Sequence, residues 1–177
     1  MRSSLFVVLA SLVLVLPSSV IAQATPSRDA MLAMLSGFED TPTLAQIRAL
    51  GEGAVPILIA LHDDPQVIQP VRLRAVEAMG AFSTSDARTF LLRVIRDPAE
   101  SPIVVREAIE ALGQSQGASA VPQIGRMLSS PTRAIREGAI EALGTIGNAA
   151  ARQQLTQHQA HERDTTLRER IGVLTAH

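Results

Sequence analysis

The sequence predicts an all-α fold, an α-α superhelix of about five antiparallel helix pairs, because two markers recur at nearly constant intervals. The first marker is a predicted helix ending, a small residue followed by a large apolar residue and Gly, with copies 29, 33 and 31 residues apart. The second is a proline after each predicted turn, with copies 33 residues apart. The helix endings close at Gly51, Gly80, Gly113 and Gly144, and the turn prolines are Pro65, Pro98 and Pro131.

Two kinds of helix alternate between these markers. The first kind carries apolar residues three apart, which share one face of a helix. The second kind has Ala five positions before its Gly and then Val or Ile. The small side chain lets neighbouring helices approach closely, and the bulky one supplies buried area. The apolar pairs are Leu58 and Leu61, Leu91 and Val94, and Ile124 and Met127, and the alanines are Ala75, Ala108 and Ala139.

Helix caps predict how the array begins. Ser27 is placed to cap a first helix over 28–38, whose apolar residues fall at helical spacing. Thr41 followed by Pro42 is expected to start the second helix, because Pro is tolerated at the first helical position. This second helix is expected to end at Gly51.

The last predicted repeat is more polar than the others. The segment 148–161 keeps helical composition, but its inward positions become Leu155 and His158 among several glutamines. Asp164 is then placed to cap a final helix over 167–175. Polar drift of this kind is typical of a terminal repeat that has one side in water.

Residues 1–24 have the composition of a secretory signal peptide that is removed on export. A single Arg precedes an almost wholly apolar run over 5–16, and small residues provide two alternative cleavage sites, after Ala22 or after Ala24. An uncleaved membrane anchor is the other interpretation, but the 12-residue run is shorter than the roughly 20 residues of a spanning helix. We therefore expect a periplasmic or secreted protein with no membrane attachment after cleavage.

Composition argues against several classes of protein. The chain has no Cys, so no disulfide is available and the exported fold depends on its apolar core. All 16 cationic side chains are Arg, which is typical of a GC-rich bacterial genome. The formal net charge is -1 and aromatic residues make up only 2%, so the basic face and stacking aromatics of a nucleic-acid binder are not expected.

The predicted repeats contain the motifs Ala54-Val55-Pro56, Val71-Arg72, Asp97-Pro98, Val105-Arg106 and Glu141-Ala142-Leu143-Gly144-Thr145-Ile146-Gly147. These motifs resemble the HEAT-like repeats named after phycobilisome lyases. The resemblance covers 43–147 and implies a right-handed stack of helix pairs, in a family whose members mostly act as binding scaffolds. The period of 31–33 residues is shorter than the roughly 40–47 of the long HEAT repeat. This sequence departs from the pattern where Arg106 lies one position nearer its Gly than its counterparts do, and where Ser130 replaces the turn Asp.

The resemblance implies one HEAT-like repeat domain over 25–177 behind the expected signal peptide. Its boundaries follow from the two markers and from the helix caps. The predicted repeats lie near 28–51, 53–80, 85–113, 117–147 and 148–177.

Charged residues occupy the outward positions of the second kind of helix, and we call them the charged strip. In similar proteins these helices line the concave side of the stack, which makes the charged strip the candidate surface for a protein partner. Ordinary solvation is the alternative, because a pair such as Arg106 and Glu110 contributes only roughly 0.2–0.5 kcal/mol to a helix. The charged strip comprises Arg72, Arg74, Glu77, Arg106, Glu107, Glu110, Arg136, Glu137 and Glu141.

The sequence contains no recognisable catalytic or cofactor-binding constellation. His158, His161 and Glu162 lie close enough on one predicted helix to approach one metal ion, but a closed zinc site needs four ligands, so we predict no metal site. We expect a non-catalytic scaffold or adaptor for an unidentified protein. The alternative is a lyase-like or other small enzyme, or an assembly factor, built on the same repeats.

Overall fold

The computed structural model describes residues 26–37 and 41–176, where the chain is helical and contains no strand. The expected signal peptide at 1–24 lies outside the described residues. Two short 3-10 turns, Met79–Ala81 and Gly117–Ala120, accompany the α-helices. The α-helices are α1 (Arg28–Ser36), α2 (Leu44–Ala49), α3 (Ala54–Asp63), α4 (Gln69–Ala78), α5 (Ser85–Arg96), α6 (Pro102–Gln116), α7 (Val121–Met127), α8 (Arg133–Ile146), α9 (Ala149–Gln159) and α10 (Thr165–Thr175).

The helices form the two layers of a short superhelix, which confirms the predicted fold class. The A layer contains α3, α5, α7 and α9, and the B layer contains α2, α4, α6, α8 and α10. Each A helix packs on the B helix that follows it, and within the B layer α6 packs on both α4 and α8. The first helix is different, because α1 packs on both α3 and α4. Each pair therefore buries its apolar faces against its neighbours, as expected of a repeat array.

The repeat-equivalent residues occupy equivalent buried places in successive layers. Ala75, Ala108 and Ala139 are each 0% exposed, and the Val or Ile that follows each of them is also buried. Of the apolar pairs predicted for the A helices, only Met127 is partly exposed. Burial of a large apolar side chain contributes roughly 1.5–3 kcal/mol, so these repeated contacts supply the hydrophobic stabilisation that one helix pair lacks.

The glycines predicted to end α6 and α8 lie inside these helices, so that prediction was wrong. Both helices continue beyond Gly113 and Gly144, and they end at Gly117 and Gly147, whose φ angles are 52° and 59°. Residues other than glycine rarely adopt such angles. Gly113 has a packing role instead, because a Cβ added there would lie 3.1 Å from the Cβ of Ala142. A packing glycine and a terminating glycine look alike in the sequence.

The predicted helix caps are confirmed at two ends and wrong at a third. Ser27 Oγ accepts a hydrogen bond at the start of α1, and the Asp164 carboxylate does so at the start of α10, each at 3.1 Å. Thr41 does not cap α2. Thr43 does, because its hydroxyl accepts from the Gln46 N–H at 3.3 Å while the Gln46 side chain accepts from the Thr43 N–H at 2.8 Å. This reciprocal capping box satisfies two N–H groups at once.

The turns between paired helices share one hydrogen bond despite a change of residue. The carboxylates of Asp64 and Asp97 each accept from the N–H two residues further on, at 2.8 and 2.9 Å. Ser130 Oγ accepts the equivalent bond from the Thr132 N–H at 3.2 Å. A hydroxyl can replace a carboxylate in such a turn. Ser130 therefore preserves the turn geometry of the repeat.

Phe90 belongs to the core. It is 3% exposed, and its ring packs edge to face on His62 with centroids 5.1 Å apart. The buried His62 places Nδ1 3.0 Å from an Asp63 oxygen and Nε2 3.2 Å from a Glu100 oxygen. The contact between His62 and Glu100 links the end of α3 to the turn after α5.

Candidate interaction surface

The charged strip lies on α4, α6 and α8, the central helices of the B layer. All of its nine side chains are half-buried. Glu77, Glu110 and Glu141 each stand three positions before the repeat glycine, so they occupy equivalent places on successive helices. Neighbouring repeats thus bring charges that are distant in sequence onto one continuous surface.

Two arginines at the N-terminal end of the charged strip hold backbone carbonyls. Arg72 Nε donates to the carbonyl oxygen of His62 at 2.6 Å, which ties α4 to the end of α3. Arg74 Nη1 donates to the carbonyl oxygens of Leu35 and Gly37, at 2.6 and 2.8 Å. Charged donors make strong hydrogen bonds of this kind. Both arginines therefore have a structural task within the fold.

Arg136, at the other end of the charged strip, holds a buried carboxylate. Its Nε and Nη2 donate to the two oxygens of Glu162 at 2.9 and 3.1 Å, and the Glu162 side chain is 1% exposed. Glu162 also accepts from the Asp164 N–H at 2.9 Å and lies 3.1 Å from His158 Nε2. Although burial raises the pKa of Glu162, these hydrogen bonds lower it to about 2. The ion pair anchors the turn before α10 to α8.

The two carboxylates of α8 in the charged strip are each paired with an arginine. Arg133 Nη1 lies 3.0 Å from a Glu137 oxygen, one helical turn away. Arg170 of α10 donates from Nε and Nη2 to both oxygens of Glu141, at 2.7 Å each. Such a fork is a favourable geometry for an arginine and a carboxylate. The C-terminal half of the charged strip is thus neutralised by the chain itself.

The carboxylates of α4 and α6 have fewer cationic partners. Arg106 lies 2.5 Å from Glu107 and 3.9 Å from Glu110, so one guanidinium serves both. Among the described residues, no ion pair reaches Glu77. Burial and the negative charge of Glu107 raise the pKa of Glu77, and burial followed by Glu107 raises the pKa of Glu110 to about 7. The carboxylates at this end are therefore less completely paired than those of α8.

A cleft of about 240 Å³ opens beside these carboxylates, between α2, α4 and α6. It exists because α2 is only 6 residues long, whereas α6 has 15 and α8 has 14. The short helix leaves part of α4 without a B-layer neighbour. One side of the cleft is apolar and the other carries Glu77, Glu107 and Glu110.

The histidines near the C-terminus line a second depression of about 630 Å³ on the turn edge. His158 contacts Glu162, whereas His161 is exposed. The described residues contain no group of three or more His, Cys, Asp or Glu side chains that is able to hold a metal ion. A carboxylate with a pKa near 2 also stays ionised at neutral pH, so Glu162 is poorly suited to proton transfer.

Sequence reasoning missed the ion pairs that link repeats. Arg170 and Glu141 are 29 residues apart, and Arg136 and Glu162 are 26 apart, close to one repeat period. Opposite charges at about this separation were a usable signal, because adjacent repeats align equivalent positions. Arg133 and Glu137 were also recognisable as an i,i+4 pair.

The two-layer stack and its repeat-equivalent contacts are consistent with an all-α, HEAT-like superhelix. Residues 98–174, which extend from the turn before α6 into α10, match the family model described as HEAT repeats. A search of curated proteins found no match. No helix in the described part of the chain combines the length and apolar character needed to cross a membrane.

Proposed function

We propose that this chain is an exported, non-catalytic scaffold or adaptor whose protein partner binds along the charged strip. HEAT repeats generally act as protein-interaction surfaces, because a stack of short repeats presents a long, rigid face. The observation that carries the proposal is the continuous row of half-buried charges on α4, α6 and α8, which ends in an open cleft. Half-buried side chains can lose their remaining water to a partner with little rearrangement.

The cellular location of the protein is part of the proposal. The sequence of residues 1–24 supports export to the periplasm, and the period of 31–33 residues supports a compact repeat similar to those of phycobilisome lyases. Mass spectrometry of the purified native protein identifies its N-terminal residue and so tests whether the chain is exported. We expect the chain to begin at Gln23 or Thr25. A chain that keeps residues 1–22 and fractionates with the cytoplasm would contradict export.

Site-specific photo-crosslinking in intact cells tests the partner surface. A photoreactive residue replaces Glu107 or Glu137 in the charged strip, and the matched control replaces Thr89, which is exposed on α5 in the A layer. We expect a discrete crosslinked protein from both strip positions and none from Thr89. Equal crosslinking from all three positions, or none from the strip, would contradict the proposal.

A lyase-like or other small enzyme is the second candidate. The depression of about 630 Å³ near His158 and His161 favours it, because small-molecule sites usually have roughly 300–1,000 Å³. The outcome that supports this candidate is turnover of a small molecule that is lost in His161→Ala, together with no crosslinked partner from the charged strip. His161 is exposed, so this substitution leaves the core intact.

A further inference from the structure

The cleft between α2, α4 and α6 combines two chemistries within a small space. Leu35, Leu44 and Ile47 contribute to an apolar side, and carboxylates from α4 and α6 form the opposite side. Among the described residues, three carboxylates and one guanidinium, that of Arg74, line it, so their summed formal charge is negative. An occupant that complements both sides is therefore apolar along its length and positively charged at one point.

The cation that lines the cleft does not neutralise it. Arg74 Nη1 donates to the carbonyl oxygens of Leu35 and Gly37, and its single charge offsets only part of that of the three carboxylates. Arg106 is not among the residues that line the cleft, and its guanidinium is shared between Glu107 and Glu110. The raised pKa values of Glu77 and Glu110 agree with this geometry, because burial and neighbouring carboxylates both disfavour their charged forms.

The size of the cleft limits what can occupy it. Its volume of about 240 Å³ is below the roughly 300–1,000 Å³ of typical small-molecule sites. The space suits one or two side chains rather than a cofactor. Lys and Arg place an apolar stem along apolar surface and keep the charge at the tip, which matches the two sides of the cleft.

We propose that the cleft is the anchor point of the charged strip, and that it binds a Lys or Arg side chain flanked by apolar residues in an exposed segment of the protein partner. This inference rests on the proposed scaffold function and assigns the chemistry of the partner. The cation pairs with Glu77 and Glu110, and its apolar neighbours contact Leu44 and Ile47. The C-terminal half of the charged strip, whose carboxylates are already paired, then contributes less to the affinity.

Titration calorimetry with the full mature chain and short synthetic peptides tests the inference. The probe peptide carries Lys between two Leu residues, and the two reference peptides replace either the Lys by Gln or both Leu by Ser. We expect measurable binding of the probe alone, and at least tenfold weaker binding to the double variant Glu77→Gln, Glu110→Gln. Added salt is expected to weaken binding of the probe, because the attraction is partly between exposed charges.

The matched control is Glu169→Gln, which removes an exposed carboxylate on α10, outside both the cleft and the charged strip. We expect it to alter the affinity about twofold at most. Absence of binding by the probe, or equal binding to the wild type and the double variant, would overturn the inference. Crosslinking of the natural partner at Glu137 is measured separately, so the scaffold function can stand when the cleft assignment fails.

Discussion

The two ends of the charged strip carry the same residue type at equivalent positions in opposite surroundings. Glu141, at the C-terminal end, accepts two hydrogen bonds of 2.7 Å from Arg170. Glu110, one repeat earlier, has only a shared arginine at 3.9 Å, and burial and Glu107 raise its pKa to about 7. The repeat therefore fixes where a carboxylate lies, while its neighbours decide whether it is neutralised.

The terminal helices explain this difference. The 11-residue α10 covers α8 and supplies Arg170, and the turn before it supplies the buried Glu162. The 6-residue α2 contributes only apolar residues to the cleft beside Glu110. In a stacked array each terminal unit contacts a single neighbour, so it alone determines how the last interior unit is covered. Among the described residues, ion pairs therefore hold α10 on α8 at the C-terminal, closed end, whereas the cleft beside α2 remains at the N-terminal, open end.

The largest expected effect comes from opening the closed end. Arg136→Met leaves the Glu162 carboxylate, which is 1% exposed, without its guanidinium partner. Removal of one member of a buried ion pair costs about 3–5 kcal/mol, so we expect a loss of this size in the free energy of unfolding, measured with urea. A loss below about 1 kcal/mol would show that the pair does not hold α10 on α8.

The matched control for this change is Arg133→Met on the same helix. Arg133 also pairs with carboxylates, Glu137 and Asp164, but its side chain is 51% exposed. Exposed pairs contribute about 0–1 kcal/mol, so this variant is expected to remain nearly as stable as the wild type. The contrast isolates burial from charge, because both substitutions remove one guanidinium.

A smaller effect is expected in the contact between α6 and α8. Gly138 takes the position that Glu107 has in the preceding repeat, and a Cβ on it would lie 2.7 Å from Arg106 Cγ and 3.1 Å from the Arg106 carbonyl oxygen. Overpacking costs about 1–3 kcal/mol, partly offset by the better helix propensity of Ala. We expect Gly138→Ala to lower the free energy of unfolding by about 1–2 kcal/mol.

Gly125→Ala in α7 makes the same chemical change in a tolerant place. A Cβ there would meet Gln154 Oε1 at 2.8 Å, which is the end of a flexible side chain. The helix propensity of Ala then dominates, and a gain of up to about 1 kcal/mol is expected. If both glycine variants shift the urea midpoint in the same direction, close packing of Gly138 on Arg106 does not determine the effect of the substitution.

The sequence was sufficient to predict the fold, because the periods of Ala, apolar residues and turn prolines all report on one repeated contact. Ala75, Ala108 and Ala139 are buried as their spacing requires. Helix ends were harder to predict, since Thr41 and Thr43 are both plausible caps and only Thr43 has Gln46 three residues on. Side-chain direction was not predictable. Helical periodicity places Arg74 on the outward face of α4. Its side chain nevertheless donates to the carbonyl oxygens of Leu35, in α1, and of Gly37, which follows α1.

The smallest expected effect compares the two ends through pH. At the open end, the folded-state pKa of Glu110 is raised from 4.5 to about 7, so its contribution to stability is present below pH 4.5 and is lost as the pH rises through 7. At the closed end, the pKa of Glu162 is lowered to about 2, so its contribution is present above pH 4.5 and is lost as the pH falls towards 2. The stability profile should therefore decline on both sides.

Glu110→Gln separates these two declines. Because the amide does not titrate, we expect the variant to lose most of the decrease between about pH 5 and pH 8, which amounts to about 1 kcal/mol after solvent screening, and to keep the decrease at acid pH. Glu77→Gln should act in the same direction and less strongly, because the pKa of Glu77 is also raised. Glu169→Gln, at an exposed position on α10, is the control and should leave the profile unchanged. If Glu110→Gln leaves the decline between about pH 5 and pH 8 intact, titration of Glu110 does not cause that decline.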